Sequence, residues 1–522
     1  MRCVPLFFAA ALLTGCAGVA NPPAHSATLV GGTLRWGVTG VSDLPTLDPA
    51  LASDPASLSA ASMVYGGLVR LDGRLHVVPD GARRWTIDRS GMVYTFYLRR
   101  NVRFADGKRV NAPDFSAALR RALSAGDAAG TGPIYLSLIA RSPVHVLGYT
   151  RPLPGLSVLS ALVLRIVLVR PAAHFLAELA FPASFVPEDG LTSRYGSVWT
   201  DHAAGFGPYV VHSWLHGRSL ILVRNPFYYG KKPLLKRVVI TFYEQPRSAV
   251  DAYRAGREDM VSGLAPGAGP PANVEGAQRV RALALDYLAF NTKRLPFLRL
   301  FARRAFAAVW SPRIARVTVG SAAFASTGVL PSAFGLTTPT RADNGSASAF
   351  LARGRYPGGK GFPSITLVLP RDPHVHQVAR RLATAWQDVL GVTVNIRQLN
   401  PSTFDSVLNA RDFDVAIVRW GGDYPDPQDF LATQLGEGSG NVTGWKGHAY
   451  GRDLSLADSY APTDPRRLAL YRQAVALIER KVPVVALDEP AVVALISPRL
   501  AGVQVTPLNT ISGAWSAAGF KG

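Results

Sequence analysis

Between Ser364 and Trp420 the apolar and polar positions repeatedly change their period. The run SITLVLP has the length and composition of a short buried strand, and Asp372-Pro373 then forms a favourable helix start, an acceptor followed by a residue with preset φ. Val378, Leu382, Trp386 and Val389 recur at spacings of three and four, which predicts a helix with one apolar face, and Gly391 is a natural stop. The period drops to two in VTVNIRQL, where Val392, Val394 and Ile396 alternate with polar positions. Ser402 is placed to cap a second short helix running through Leu408, and FDVAIVRW is a third strand with a continuous apolar core. Strand, helix, strand, helix, strand predicts an α/β fold with a parallel sheet covered on both faces.

The third strand runs out into Trp420-Gly421-Gly422-Asp423-Tyr424-Pro425-Asp426-Pro427. Ligands of open parallel sheets bind beyond the carboxyl ends of the strands, so this turn is the first candidate site. Two glycines let the backbone turn tightly and come close to a ligand, and the prolines fix the exit path. The Asp423 carboxylate can receive a cation or an ammonium group, and Trp420 offers a flat wall for a side chain or a cation–π contact. A plainer role also fits: Asp423 as the cap of the next helix and Trp420 as core. Asp426, between prolines, reads as a turn stabiliser rather than as half of a glycosidase acid pair.

The first residues, MRCVPLFFAAALLTGC, combine one positive charge at Arg2, an apolar stretch from Val4 to Leu13 and small residues before Cys16. That is an export signal, too short to span a membrane stably. Leu13-Thr14-Gly15-Cys16 resembles the lipobox of bacterial lipoproteins, which predicts a signal over 1–15, acylation at Cys16 and a tether over 16–28; an ordinary signal cut near His25-Ser26-Ala27 is the alternative. Cys3 and Cys16 are the only cysteines, so the folded body has no thiol and no disulfide. The run SVLSALVLRIVLVRP (157–171) is interrupted by Arg165 and rich in β-branched residues, so it reads as strand rather than span. Residues 337–360 are turn-rich and read as a surface excursion or a junction within a lobe.

With 522 residues the chain has room for two to four domains at roughly 150 residues each. Its formal charge is +21, and +20 once Arg2 leaves with the signal. The arginines are scattered in short clusters such as Arg83-Arg84, Arg99-Arg100 and Arg380-Arg381 rather than gathered in one basic tract, and with an export signal this argues against nucleic acid. A solvated basic surface accounts for the charge, with anionic lipid or anionic ligands as the functional alternative.

No nucleophile elbow, HExxH helix or paired-cysteine metal motif occurs, so an enzyme is not expected. His374 and His376, two apart at a helix start, are a poor metal pair and read as surface residues. NVTG (441–444) reads as a turn rather than a glycosylation site. Neither a metal nor a cofactor is expected.

Longer motifs carry a family resemblance. TLDPALASDPASLSAASMVYGGLVRLDG, SGMVYTFYLRRNVRFADGKRVNAPDFSAALRRAL, GFGPYVVHSWLHGRSLILVRNPFYYG (205–230), AFNTKRLPF (289–297), the WGGDYPDP turn and NVTGWKGHAYGRDLSLADS run nearly end to end. Together they resemble family 5 of the bacterial extracellular solute-binding proteins, the peptide- and nickel-type substrate-binding lipoproteins of ABC importers.

The resemblance implies a two-lobed clamshell of the type II periplasmic-binding-protein kind with a subdomain inserted in the first lobe. Its boundaries would be lobe I at 29–58, 200–285 and 486–522, the insertion at 59–199, and lobe II at 286–485. It implies a peptide held between the lobes, its α-amino group on Asp423 and a side chain against Trp420, with Gly422 and Tyr424 in the same turn. Asp43 and Tyr135 fall near places where members touch ligand. It further implies permease and ATPase subunits as partners, a monomer, and a periplasmic or cell-surface location held by a lipid at Cys16. Within the same fold, a sensor, a chaperone, an adhesin, or a carrier of chelated metal, haem or oligosaccharide are the alternatives. Two departures stand out: Trp310 to Thr340 is short for the family, and arginines replace the usual acids along ARRAFAAVW, which suggests a more basic cleft.

Overall fold

The computed structural model describes residues 29–521 except 125–130, 140–152, 265–270, 272, 311, 320–321, 327, 337–343, 437–439, 514 and 516–517. The export signal, Cys16 and the tether therefore lie outside the described residues. No described helix is long and apolar enough to cross a membrane.

The predicted α/β unit is present. Ile365–Pro370 is the middle strand, with Val394–Leu399 parallel to it on one side and Val415–Gly421 on the other. The first helical connection leaves the middle strand to one side and the second returns past it to the other, which makes the crevice between the carboxyl ends of the middle strand and Val415–Gly421 a topological switch point. The helix Pro373–Leu390 starts as read, with the Asp372 carboxylate accepting the N–H groups of His374 and Val375, and ends at Gly391 with φ of +70°. Val378, Leu382 and Trp386 are buried, and the Trp386 indole N–H donates to the carbonyl of Phe306 at 3.0 Å. The second helix, Pro401–Ala410, is capped by Asn400 and not by Ser402. Pro401 takes the first helical position, so the residue before it is the one left extended and free to cap.

The apolar run of the third strand serves two cores. Val415 and Ile417 join one cluster with Trp386 and Leu382, while Phe413, Ala416 and Val418 join another on the opposite face with Phe430, Tyr450 and Tyr471. A strand buried on both sides has no polar face to display, which explains the loss of alternation. The sheet as a whole is mixed, because Val415–Gly421 runs antiparallel to Ala284–Phe290.

One sheet runs through both lobes. Its backbone is Val484–Ile496, a 13-residue strand whose first part pairs with Ala284–Phe290 and whose second part pairs with Ala277–Arg281 and Met260–Leu264. Beyond it lie Thr33–Thr39, Arg237–Tyr243, Ser219–Arg224 and Tyr209–Leu215, the frame of the first lobe. The two crossings of the chain are thus an antiparallel pair.

A separate four-stranded sheet, Ala82–Ile87, Val93–Leu98, Val163–Val167 and Leu156–Ser160, has its own core with Phe96, Phe115, Phe175 and Leu164. The last two of these strands come from the apolar run read as strand. The turn-rich reading of 337–360 is corrected in part: Asn344–Arg353 is helical.

The arginines of ARRAFAAVW also need correction. Arg303 is buried in the helix Leu300–Val309, and its guanidinium donates to the carbonyls of Phe297, Leu298, Lys481 and Val482. It ties off the C-terminal end of the helix Pro465–Lys481, where an acid would meet four carbonyl oxygens.

Candidate functional site

The strand Val415–Gly421 delivers the candidate turn. Along one edge it pairs with Ala284–Phe290 over its full length, but on the other only Val415 and Ala416 pair, with Leu367 and Val368. From Ile417 to Gly421 that second edge has no strand partner among the described residues, so backbone groups face outward at the switch point.

The glycines do something other than expected. Neither Gly421 nor Gly422 has a positive φ. Gly422 is needed for a close approach to protein: its N–H donates to the carbonyl of Leu283 at 2.7 Å, and a Cβ there would meet the Leu283 side chain at 2.9 Å. The turn is thereby fastened to the crossing strand.

Downstream, three acids take three roles. Asp426 accepts the Gln428 N–H and is paired with Arg467 at 2.7 Å, so it stabilises the turn as read. Asp429, 0% exposed, accepts the backbone N–H of Asp423 at 2.7 Å and lies beside the Trp420 indole. Burial and then the Asp423 charge push the Asp429 carboxyl well above the usual range. Asp423 itself is half-buried, and burial raises it. No cation and no hydrogen-bond donor among the described residues reaches its carboxylate. Burial, then the charge of Asp423, raises the Tyr135 hydroxyl, so these two are brought together. Tyr135 in turn stacks on Phe181 at 4.7 Å and 8°.

The other predicted residues sit differently. Tyr424 is buried, its hydroxyl donating to Gln428 and its ring stacked on His174. Asp43 is engaged in the first lobe, accepting from the Trp214 indole at 2.9 Å, the His216 ring at 2.8 Å and the Gly217 N–H at 3.0 Å; no described contact joins it to the turn.

His374 overturns the surface reading. It is 5% exposed, with Nε2 at 3.3 Å from Asp488, in a group with Asp286 whose ligand atoms lie within 4.8 Å of one another. Metal-like spacing is already answered here by the guanidinium of Arg419, which holds both oxygens of Asp286 at 2.7 Å and reaches Asp372 at 3.3 Å. Burial alone would lower His374, but Asp488 and then Asp286 raise it, so the imidazole and the buried carboxylates favour each other's charged forms. Asp429 could have been suspected from its place six residues after Asp423. The Asp286, Asp488 and Arg419 group is assembled from three strands and has no local signature.

A crossing strand shared by two lobes, a switch point between them and an unpartnered acid at that point define a two-lobed binding protein. Residues 76–441 match the family described as "Bacterial extracellular solute-binding proteins, family 5 Middle", and the chain belongs to that family. It is 26% identical over 480 residues to the "Probable deoxycholate-binding periplasmic protein YgiS" of Escherichia coli, covering 88% of this chain and 89% of that one. It is also 26% identical over 497 residues to the "Periplasmic oligopeptide-binding protein OppA" of Salmonella typhimurium, covering 88% of each. Among solved structures, "MppA Periplasmic Murein Tripeptide Binding Protein, Unliganded Open Form" is similar with a TM-score of 0.81 and 24% identity, over 95% of this chain and 99% of that one.

Proposed function

We propose that this protein captures di- or oligopeptides between its lobes and hands them to the permease of an ABC importer. The observation that carries the reading is the Asp423 carboxylate, unpartnered at the end of a strand whose edge is free from Ile417 onward. A peptide supplies both complements, an α-ammonium group for the acid and backbone N–H and C=O groups for the edge. Trp420, Gly422 and Tyr135 would border the ligand's amino end, Tyr424 would hold the turn from behind, and Asp43 would contribute from the first lobe. Relatives named for oligopeptides and for murein peptide support the ligand class. We read the lobe boundaries at 58/59, 199/200, 285/286 and 485/486. Ligand contact with both lobes would favour the closed form, the one the importer engages. The protein would work as a monomer outside the cytoplasm, without catalysis, held to the membrane by a lipid on Cys16.

Native mass spectrometry of the purified protein, with release of anything bound, tests this. Short peptides that Asp423→Ala loses would support it. A protein that stays empty against a peptide mixture would reject the peptide assignment.

A further inference from the structure

The first described strand, Leu29–Val30, marks where the chain enters the folded body, and the surface around it is basic. Leu29 stands opposite Lys521 in a small three-stranded sheet, and the Lys521 N–H donates to the Arg499 carbonyl at 2.8 Å. On the other side the Lys236 N–H donates to the Gly32 carbonyl at 2.8 Å, and Arg237 stands opposite Thr33 where Thr33–Thr39 and Arg237–Tyr243 begin their parallel pairing. Lys231 and Lys232 open the loop that leads into Lys236, and Gly31 lies so close to this loop that a Cβ on it would run into the Leu234 carbonyl. All six cationic residues are exposed, and none is in an ion pair among the described residues.

Their charge is not answered nearby. Residues 29–42, 202–243 and 490–522, which build this part of the molecule, contain no Asp or Glu, in a chain that holds 35. Two acids brought in from outside these segments are engaged: Asp259 is paired with Arg35 at 2.6 Å, and buried Glu258 accepts the Tyr243 hydroxyl at 2.9 Å. The field at this end is therefore of one sign. It is also turned away from Asp43, which follows the carboxyl end of Thr33–Thr39, a strand about 23 Å long at 3.3 Å per residue.

We infer that this basic end of the first lobe is a docking surface for the anionic face of the membrane, holding phospholipid headgroups with Lys231, Lys232, Lys236, Arg237, Arg499 and Lys521. Charge complementarity and the place where the chain enters name the occupant. With a lipid on Cys16, residues 16–28 span at most about 45 Å even when fully extended, which keeps the entry at Leu29 within reach of the bilayer. Attraction of Lys and Arg to anionic headgroups acts over roughly a Debye length, about 8 Å at physiological salt, and adds up over a cluster. A single acyl chain binds reversibly, and a basic patch supplies the second hold. The first lobe then lies on the membrane and the second is left to swing. The inference rests on the proposed membrane anchoring and is independent of what the ligand is.

Residues 16–522 carrying Cys16→Ser read the surface without the lipid. Co-sedimentation with phosphatidylcholine vesicles containing about one third phosphatidylglycerol is expected to be at least 10-fold stronger than with phosphatidylcholine alone at about 0.05 M salt, and to vanish at about 0.5 M. Lys231→Gln/Lys232→Gln/Lys236→Gln should lower it at least 5-fold, and Arg499→Gln/Lys521→Gln repeats the test from the other side of the entry. Arg380→Gln/Arg381→Gln/Arg397→Gln removes as much charge from exposed positions on Pro373–Leu390 and Val394–Leu399 and should change it less than 2-fold. No preference for anionic vesicles, lysine and entry variants that both bind like the wild type, or an equal loss in the arginine variant overturns the inference. Binding to dextran sulfate without binding to vesicles also overturns it, in favour of an anionic polymer. The anchor is read separately, by the mass of the full mature chain from cells: an unacylated Cys16 fails the anchoring reading and leaves the vesicle result standing.

Discussion

The ring of His174 lies stacked on the ring of Tyr424, 5.4 Å and 12° apart, although the two residues are 250 positions apart in the chain. His174 belongs to the body of the four-stranded sheet and Tyr424 to the turn that carries Asp423. The same imidazole reaches Asp458 at 3.2 Å and Glu178 at 3.6 Å, Asp458 is held by Arg170 at 2.8 Å, and Asp426 with Arg467 lies on the far side. The four-stranded body is therefore fastened to Tyr424, the neighbour of Asp423, by a ring stack set among buried charges.

That seam should loosen as pH rises. Burial pushes Glu178 up to about 7, so the folded state holds a proton that the unfolded state has released above the ordinary carboxylate range. Burial would lower His174, but Asp458 and Glu178 raise it, and its contribution is likewise lost as pH rises through the folded value. Asp458, raised by burial but lowered further by His174 and Arg170, works the other way only at acid pH, near and below the usual carboxylate range. Stability should decline between about pH 5 and 8, by about 2 kcal/mol from Glu178. Thermal midpoints at pH 5.5 and 8.0 check this, and Glu178→Gln should flatten the difference.

Asp423 must be ionised to hold an ammonium group, and burial raises it. Peptide affinity should therefore fall on acidification earlier than for an ordinary aspartate, beginning above the usual carboxylate range. Asp423→Asn should cost about 2–4 kcal/mol, roughly 30- to 1,000-fold in Kd, with little change in stability. Calorimetric titration from pH 4.5 to 7.5 measures both.

Arg303 sits away from the turn, so its loss should affect folding and not binding. Arg303→Met takes its donors from the carbonyls of Phe297, Leu298, Lys481 and Val482, and about 2–4 kcal/mol of stability should disappear. Denaturant unfolding reads the loss, and an unchanged peptide Kd completes the check.

Arg419→Met would leave Asp286 and Asp488 buried with only His374 between them. Breaking such a group typically costs about 3–5 kcal/mol. Burial dominates the shift of Asp286, to about 6, against the pull of Arg419. The variant should therefore be rescued in part by lowering the pH, which protonates that acid. If the charges balance internally, adding Ni²⁺ or Zn²⁺ to the wild type should leave its thermal midpoint unchanged.

The second-lobe unit was legible because its information is local. The period switch from Pro373–Leu390 to Val394–Leu399, the Asp372 cap and the Gly391 stop each lie within a few residues of what they control. Asn400 was within reach too, since a proline at the first helical position designates the residue before it. His374 was not, because its partner Asp488 lies 114 positions away and a histidine at a helix start looks solvent-facing until that strand is placed beside it. The partner of Gly422 was hidden for the same reason: close approach was foreseen, and the protein surface it approaches, Leu283, lies far off in the chain. The acid at the end of the strand was legible from topology; its insulation by Asp429 and its bracing by His174 depend on contacts between separate bodies.

The strand Val484–Ile496 changes partners along one edge between Asp488, which faces Asp286, and Ala491, which faces Arg281. Between them stand Glu489, bonded to Ser332, and Pro490, which has no N–H to give a ladder and whose φ is fixed. Mechanically the two lobes are ends of one beam, and the break on this edge is spliced rather than open: the Ala282 N–H reaches the Pro490 carbonyl at 2.9 Å, and Ala323–Ala325 pairs across Asp488 to Pro490 on the other edge.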